Sequence, residues 1–327
     1  MSSNYDIVAI GDTTLDVFLE IDDATVLCDH NEENCKLCIS YADKVPLQKV
    51  TKVTGVGNSA NFAVGASRLG LETAIYTILG NDTEGKEIER KFRGENVSTE
   101  YISFDQKRGT NYSAVISFKG ERTILVFHEK RDYLLPDIGT PKWIYFSSVS
   151  KGHEALHKQI VDYLENSNGV NMAFNPGTFQ LREGLEKLLP ILVKTSVRIL
   201  NKEEAAGLLG QSGMDIKDML SGLSEKGAKI VAITDGHKGS YMFDGKNFYF
   251  IGILDAPVVE RTGCGDSYSV GFVSALAYGK SLQEAMVWGT VNASSVVQHV
   301  GAQKGLLGLS EMKSILDKNR NFLPKKI

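Results

Sequence analysis

The chain has 327 residues, 42% of them hydrophobic and 23% charged, an ordinary balance for a water-soluble globular protein of one large α/β domain with an appendage, or of two domains. A formal net charge of −4, with no basic cluster beyond Pro324-Lys325-Lys326, argues against a nucleic-acid surface, and no apolar run is long enough to span a bilayer. The opening MSSNYDIVAIG lacks the basic flank and apolar core of a secretory signal, and the four cysteines show no secreted disulfide framework, so the cytoplasmic compartment is expected.

In chain order, residues 5–11 form a short apolar run ended by glycine, the pattern of a buried strand. Residues 17–52 break the rhythm with strand-like VFLEI, an acidic cysteine-bearing loop and CISYADKVPL. A helical period at 59–69, a buried strand at 73–79 and a second helical period at 84–93 follow. Residues 101–133 interrupt again: YSAVISF, the turn Lys119-Gly120-Glu121 and RTILVFH read as a β-hairpin. Further strands are expected at 143–146, 170–174, 197–200 and 229–234, with helices at 154–165, 181–193, 202–209 and 216–226. The helix after Asp266 is apolar nearly all round (Val270, Phe272, Val273, Ala275, Leu276), which predicts burial between layers, and another helix is expected at 283–299. Buried strands alternating with helices predict a mostly parallel sheet covered on both faces. The two interruptions, 17–52 and 101–133, predict a small β lid over the strand ends, where open α/β sheets bind ligands.

The clearest chemistry lies in Thr262-Gly263-Cys264-Gly265-Asp266. Small, flexible residues before a helix leave free N–H groups and the positive end of the dipole facing outward, an anion site that glycine lets a phosphoryl group approach closely. A carboxylate there is repelled by phosphate. Asp266 therefore reads either as an N-terminal cap or as a base that takes a proton from an attacking hydroxyl. Two other glycine patterns fail. Gly80-Asn-Asp-Thr-Glu-Gly85-Lys86 approaches a phosphate loop, but Glu87 replaces the magnesium-binding hydroxyl, and Asp82 and Glu84 would face the phosphates. Gly55-Val-Gly57-Asn-Ser-Ala60 matches a loose dinucleotide fingerprint. The strand at 73–79 nevertheless ends without a ribose-binding acid, which weakens an oxidoreductase reading.

Gly11-Asp-Thr-Thr-Leu-Asp16 opens a longer series of motifs. Gly57-Asn-Ser-Ala-Asn61-Phe-Ala63 follows, leading to Arg68-Leu69-Gly70, then Gly80-Asn-Asp82-x-x-Gly85 and Asn201-Lys-Glu-Glu204. Thr234-Asp-Gly236, Thr262 to Asp266 and Gly301-Ala302-Gln303 complete it. In order and spacing, over nearly the whole chain, the series resembles the ribokinase-like (PfkB family) carbohydrate and nucleoside kinases. The resemblance implies a single three-layer α/β kinase domain over 1–327 with a β lid, and ATP- and Mg2+-dependent phosphorylation of a sugar hydroxyl. In that reading Asp266 is the general base, and the amides of Gly263, Cys264 and Gly265 form the anion hole. Asp16 accepts sugar hydroxyls, with Gly57, Asn58 and Asn61 as partners and Asp12 as a further candidate. Asn201 and Glu204 organise magnesium through water, Thr234 and Gly236 meet the nucleotide, and Thr290 and Asn292 are further nucleotide-pocket candidates. Each set has a plain alternative. Asp12 and Asp16 can serve turns, Asn61 a helix start, Asn201-x-x-Glu204 a capping box, and Thr234 to Gly236 a strand-ending turn. The implied partner is a small-molecule sugar or nucleoside, not nucleic acid or membrane, and a homodimer through the lid stays open. The rivals are a nucleoside kinase acting on a ribose 5′-hydroxyl and a catalytically silent sugar-binding sensor, although a sensor should have lost Asp266 or its glycines.

The chain departs from the family pattern at several points. Glu260-Arg261 stand where the family carries Asp-Thr, which argues against an activating monovalent cation and offers Arg261 as a charge near the phosphates. Cys264 replaces the common alanine at a helix start, a setting that favours thiolate. Val56 replaces a glycine, and Ser148 stands where ribokinases carry a sugar-contacting Glu, so ribose itself is not implied. Within the expected lid, Cys28-x-His30-x4-Cys35-x2-Cys38 supplies the ligand types of a tetrahedral Cys3His zinc site, the alternative being free cytosolic thiols.

Overall fold

In the computed structural model, which describes residues 5–29, 35–211 and 213–327, the apolar runs become strands buried on both faces. The chain opens with β1 (Ile7–Ile10), β2 (Thr14–Glu20), β3 (Thr25–Cys28), β4 (Cys35–Cys38) and β5 (Lys49–Val56). It continues through α1 (Asn58–Arg68), β6 (Thr73–Gly80), α2 (Thr83–Gly94), β7 (Ile102–Asp105), β8 (Asn111–Phe118) and β9 (Glu121–Phe127). Next come β10 (Trp143–Phe146), α3 (Glu154–Asn166), β11 (Asn171–Phe174), α4 (Thr178–Glu183), α5 (Leu185–Val193) and β12 (Val197–Asn201). The last third holds α6 (Lys202–Leu209), α7 (Ile216–Glu225), β13 (Ile230–Thr234), β14 (Ser240–Phe243) and β15 (Phe248–Ile251). It closes with α8 (Cys264–Ala277), α9 (Leu282–Val296), α10 (Leu309–Lys318) and β16 (Lys325–Lys326).

Ten strands form the central sheet, in the order β16-β15-β14-β13-β12-β11-β10-β1-β6-β7. From β13 to β7 the pairings are parallel; β14, β15 and β16 add an antiparallel edge. All four residues of β1 are buried because alternate side chains enter two different cores. Ile7 and Ala9 join α1, α2, α8, α9 and α10, while Val8 and Ile10 join α3, α5, α6 and α7. This is the three-layer arrangement that the alternating pattern predicts. Helix α8 is buried from Ser267 to Ala275, as its all-round apolar character requires.

A second sheet, β5-β2-β8-β9, lies apart from the central one, and β3 and β4 make a separate two-stranded ribbon. The hairpin turn between β8 and β9 has positive φ at both Lys119 (49°) and Gly120 (86°), the twist that joins tightly coupled antiparallel strands. Residues 102–105, expected with the lid, instead extend the central sheet beside β6. The helix expected at 181–193 is two helices, interrupted at Gly184, whose φ of 84° no regular helix accommodates.

The zinc expectation is corrected. Cys28 and Cys35 face each other across the β3–β4 ribbon and form a disulfide, so they cannot serve as two thiolate ligands. Cys38 pairs with Thr25 at the ribbon's other end, and His30 lies outside the described residues. Among the described residues no group of three metal-ligating side chains exists, and the free thiols are Cys38 and Cys264. No described helix is long and apolar enough to cross a membrane.

The false phosphate loop at 80–86 is a structural joint. Asp82 caps α2, accepting from the Gly85 amide at 2.8 Å, and also takes the Thr110 amide (2.7 Å) and hydroxyl (2.6 Å). Its own side chain thus claims the donors that a phosphate would need, and ties α2 to the segment entering β8. These hydrogen bonds, led by the one from the Thr110 hydroxyl, hold its carboxyl below the usual range despite partial desolvation. Replacing Asp82→Ala should cost about 2–3 kcal/mol, because a cap is lost and charge-assisted bonds go with it. The stabilisation is present above the ordinary carboxylate range and fades as pH falls through the depressed value. Urea melts at neutral and acid pH should therefore show the gap between variant and wild type shrinking in acid.

Candidate active site

A cleft of about 590 Å³ opens where the turns after β1 and β10 and the start of α4 meet the inner face of the small sheet. Asp12, Asp16, Phe18, Asn58, Asn61 and Asp266 are among the side chains that line it. Sheet geometry brings them together, since the loops leaving the carboxyl ends of neighbouring parallel strands share one rim.

The start of α8 forms part of that rim. Gly263 is its N-cap with φ 76°, and a β-carbon there would run into Ala302, so only glycine fits. A β-carbon at Gly265 would meet nothing within 4 Å, leaving open space beside the helix start. The amides of Gly263, Gly265 and Asp266 find no acceptor among the described residues, whereas the Cys264 amide donates to Arg261 O at 3.3 Å. The available donors thus differ by one from those expected. Burial, together with the nearby Asp266 and Glu260 charges, pushes the Cys264 thiol up to about 11. Burial therefore opposes the thiolate expected from the helix start.

Asp266 terminates a relay of side chains from three other parts of the chain. Asn61 Nδ2, in the first turn of α1, donates to Asp266 Oδ2 at 2.7 Å. Gln303 Nε2 donates to Asn61 Oδ1 at 2.9 Å and to Gly55 O at 2.8 Å. Lys91 Nζ, from α2, donates to Gln303 Oε1 and to Thr54 O. Arg68 steadies the same loop, reaching Gln303 O at 2.7 Å while it grips Glu95 through two nitrogens. Lysine has only donors, so it fixes which way both amides point. The Asn61 NH2 must then face the carboxylate. Desolvation raises Asp266 to about 6 in spite of the Asn61 hydrogen bond, and lowers Lys91 to about 8. The Asp266 charge also raises Glu204, after burial, which brings α6 within electrostatic reach of the rim.

The remaining sequence-selected residues divide. Asp16, at a bulge in β2 and paired with Ser113 of β8, has a buried Oδ1 with no hydrogen-bond partner among the described residues; burial raises its carboxyl. Both Asp12 oxygens are engaged, by Tyr133 OH at 2.8 Å and the Ser150 amide at 2.9 Å. Gly57 caps α1 at φ 111°, and Asn58 Nδ2 donates to Asn175 Oδ1 at 3.1 Å. Asn201 and Glu204 form a reciprocal capping box, with bonds of 2.8 and 3.0 Å. Thr234 ends β13 directly beside Asn201, and Gly236 follows at φ 53°. Neither lines the cleft. Thr290 and Asn292 are structural: the first bonds Met286 O, and the second ties Ser267 O to the Leu307 amide.

Three cleft-side residues escaped the sequence reading. Arg122, just past the hairpin turn, pairs with the buried Glu260 and the Thr262 hydroxyl, and lies over the Phe18 ring. Arg261, proposed for that neighbourhood, is exposed. His128 follows β9, and Arg182 lies in the last turn of α4; both line the cleft. Arg122 lies in the second strand of a recognisable hairpin and His128 just after it, but nothing local marks them as meeting residues more than a hundred positions away.

The sequence pattern describing the pfkB family carbohydrate kinases matches residues 19–307. The chain belongs to that family. An Archaeoglobus fulgidus protein named an uncharacterized sugar kinase is 28% identical over 258 residues, spanning 74% of this chain and 98% of its own. Arabidopsis thaliana ribokinase, solved with ribose and ATP, superposes with a TM-score of 0.80 at 19% identity, over 96% of this chain and 99% of that one. The nucleoside kinase of Methanocaldococcus jannaschii gives a TM-score of 0.77 at 20% identity, over 97% of this chain and 100% of that one. The fold is ribokinase-like, and the protein is a PfkB-type carbohydrate kinase by family, as its motifs implied.

In this kinase the raised Asp266 has a thermodynamic consequence. A carboxyl that binds its proton more tightly folded than unfolded stabilises the fold below the ordinary value near 3.8, and that stability is lost as pH rises through about 6. Asp266→Asn removes the ionisation, so the variant should be more stable than wild type at pH 8 by up to about 3 kcal/mol. The two should converge below about pH 4 in urea titrations. A variant less stable than wild type at pH 8 would contradict the desolvated-carboxylate description.

Proposed function

We propose that the protein transfers the γ-phosphoryl group of ATP to an alcohol of a sugar, with Asp266 as the base that accepts the hydroxyl proton. The carrying observation is the combination at the head of α8. A desolvated carboxylate, held at one oxygen and accepting no hydrogen bond at the other from the described residues, stands beside amides that none of those residues claims. A base near 6 is ionised at neutral pH, yet binds a proton more tightly than an exposed aspartate does. The free N–H groups of Gly263 and Gly265 suit charge building on the transferred group, and the open space at Gly265 leaves room for it. Asp16, with its orphaned buried oxygen, is the acceptor for another substrate hydroxyl.

The donor is read as ATP because ribokinases of the same fold were solved with ATP and with ADP. Magnesium, which neutralises phosphate charge when bound, keeps several of its waters and needs few protein ligands. Glu204 fits that role through water: its carboxylate is near the site, and one oxygen lies outside the capping box. We place the reaction in the cytoplasm, where ATP is supplied. The small sheet, carrying Asp16 and Phe18 over the strand ends, serves as the lid of a single kinase domain.

An ADP-release screen over pentoses, hexoses and nucleosides tests the activity. With the accepted substrate, Asp266→Asn should lower kcat by about 10²–10⁴. The acid limb of wild-type kcat/KM should fall off around the Asp266 value of about 6. Near-normal turnover in the variant removes Asp266 as base. Potassium should matter little, because Arg122 already neutralises Glu260 and the Gly301 amide takes its other oxygen at 2.9 Å. Exchanging potassium for a bulky organic cation at constant ionic strength checks this, and a large loss of rate would contradict it.

A further inference from the structure

The loop over residues 252–263 enters α8 without strand or helix, yet it carries Gly263, so groups outside its own backbone must hold it. Glu260 does so from the loop's side. Its side chain is 4% exposed, its Oε2 accepts the Gly301 amide at 2.9 Å, and its own amide donates to Val297 O at 3.1 Å. The turn at Gly301 and Ala302 held in this way packs against Gly263, and Gln303 of the Asp266 relay comes next. A carboxylate seated this deep requires a countercharge. Among the described residues its ion-pair partner comes from the small sheet: Arg122 Nη1, in β9, meets both Glu260 Oε1 and the Thr262 hydroxyl. The guanidinium is itself largely buried, at 18% exposure, and lies 5.7 Å from the centre of the Phe18 ring. Strand alternation sets Arg122 on the face of β9 that carries Ile124 and Val126 into the cleft. Arg261, the loop's own cation, is exposed.

We infer that Arg122 is a positioning residue for phosphoryl transfer: it takes the place of a monovalent cation beside Glu260 and holds the loop that presents the Gly263 amide. The inference rests on the kinase reading above and goes deeper into the same site. A free cation does not fit beside Arg122, because both Glu260 oxygens and the Thr262 hydroxyl are engaged. Removing the guanidinium changes that. A buried carboxylate and a hydroxyl then face an emptied space with no charge to answer them, and a small cation from solution can enter.

The test is Arg122→Ala, with Arg122→Gln giving the same readings should the first fail to fold. Each is compared with wild type in tetramethylammonium chloride and in potassium or dilute guanidinium chloride, at equal ionic strength. In tetramethylammonium the variant's kcat should fall about 10- to 100-fold, the scale of a displaced reacting geometry. Potassium or guanidinium should recover most of that loss and leave wild type unchanged. Potassium should also raise the variant's melting midpoint by about 2–4 °C without moving that of wild type. Adding Glu260→Gln to Arg122→Ala should abolish both responses, since no buried charge then lacks a partner. Wild-type kcat in the folded single variant without added cation overturns the inference. So does a loss that neither cation reverses, or a potassium response that persists in the double variant. A wild type that phosphorylates no alcohol overturns the kinase reading instead, and the melting responses then uphold or overturn the countercharge on their own.

Discussion

The site depends on a carboxylate deprived of water and yet not neutralised. Had a lysine or arginine paired directly with Asp266, the attraction would have lowered its proton affinity and, with it, the basicity on which the proposed role depends. The protein positions it with an amide instead. Asn61 supplies one hydrogen bond, enough to fix a rotamer and too little to cancel the desolvation. The cation that organises the arrangement, Lys91, acts from two amides away. Position and basicity are thereby set by different groups.

That relay also explains why widely separated pieces of sequence converge. Asn61 is on α1, Lys91 on α2, Thr54 and Gly55 on β5, and Gln303 on the loop after α9. β5 belongs to the small sheet, while α1 and α2 cover the central one. One chain of hydrogen bonds therefore fastens the small sheet to the helix layer at the same place where it orients the Asp266 carboxylate. The Arg122 contact with Glu260 and Thr262 provides a second fastening, from the opposite edge of the small sheet to the loop that enters α8.

Local patterns revealed the repeating architecture and missed what depends on distant contacts. Four-residue apolar runs such as Trp143–Phe146 and the helix Lys202–Leu209 were legible with their bounds, because burial on both faces and capping chemistry are written locally. The antiparallel edge β14–β15 was not, since half-buried strands near a sheet margin carry a weak periodic signal. Residues 102–105 were expected with the lid segment, and only pairing with β6 places them elsewhere. The helix break at Gly184 needed a φ value that composition cannot supply. Within the site, the glycine-led helix start at 263–266 was legible as local geometry. The capping box at Asn201 and Glu204 shows one spacing serving local structure while a longer-range role stays compatible with it. The disulfide at Cys28 and Cys35 was hidden because residue spacing alone cannot tell a cross-strand pair from a ligand pair.

The edge strand β9 leaves Ile124 and Val126 half in water, at 50% and 57% exposure, on the side that faces the cleft. Any ligand that fills the space beneath them, or any inward movement of the strand, removes hydrocarbon from solvent. Association then carries a negative heat-capacity change, and its enthalpy grows more favourable on warming. Polar groups choose the ligand here, while part of the grip comes from wetting and drying of two aliphatic side chains.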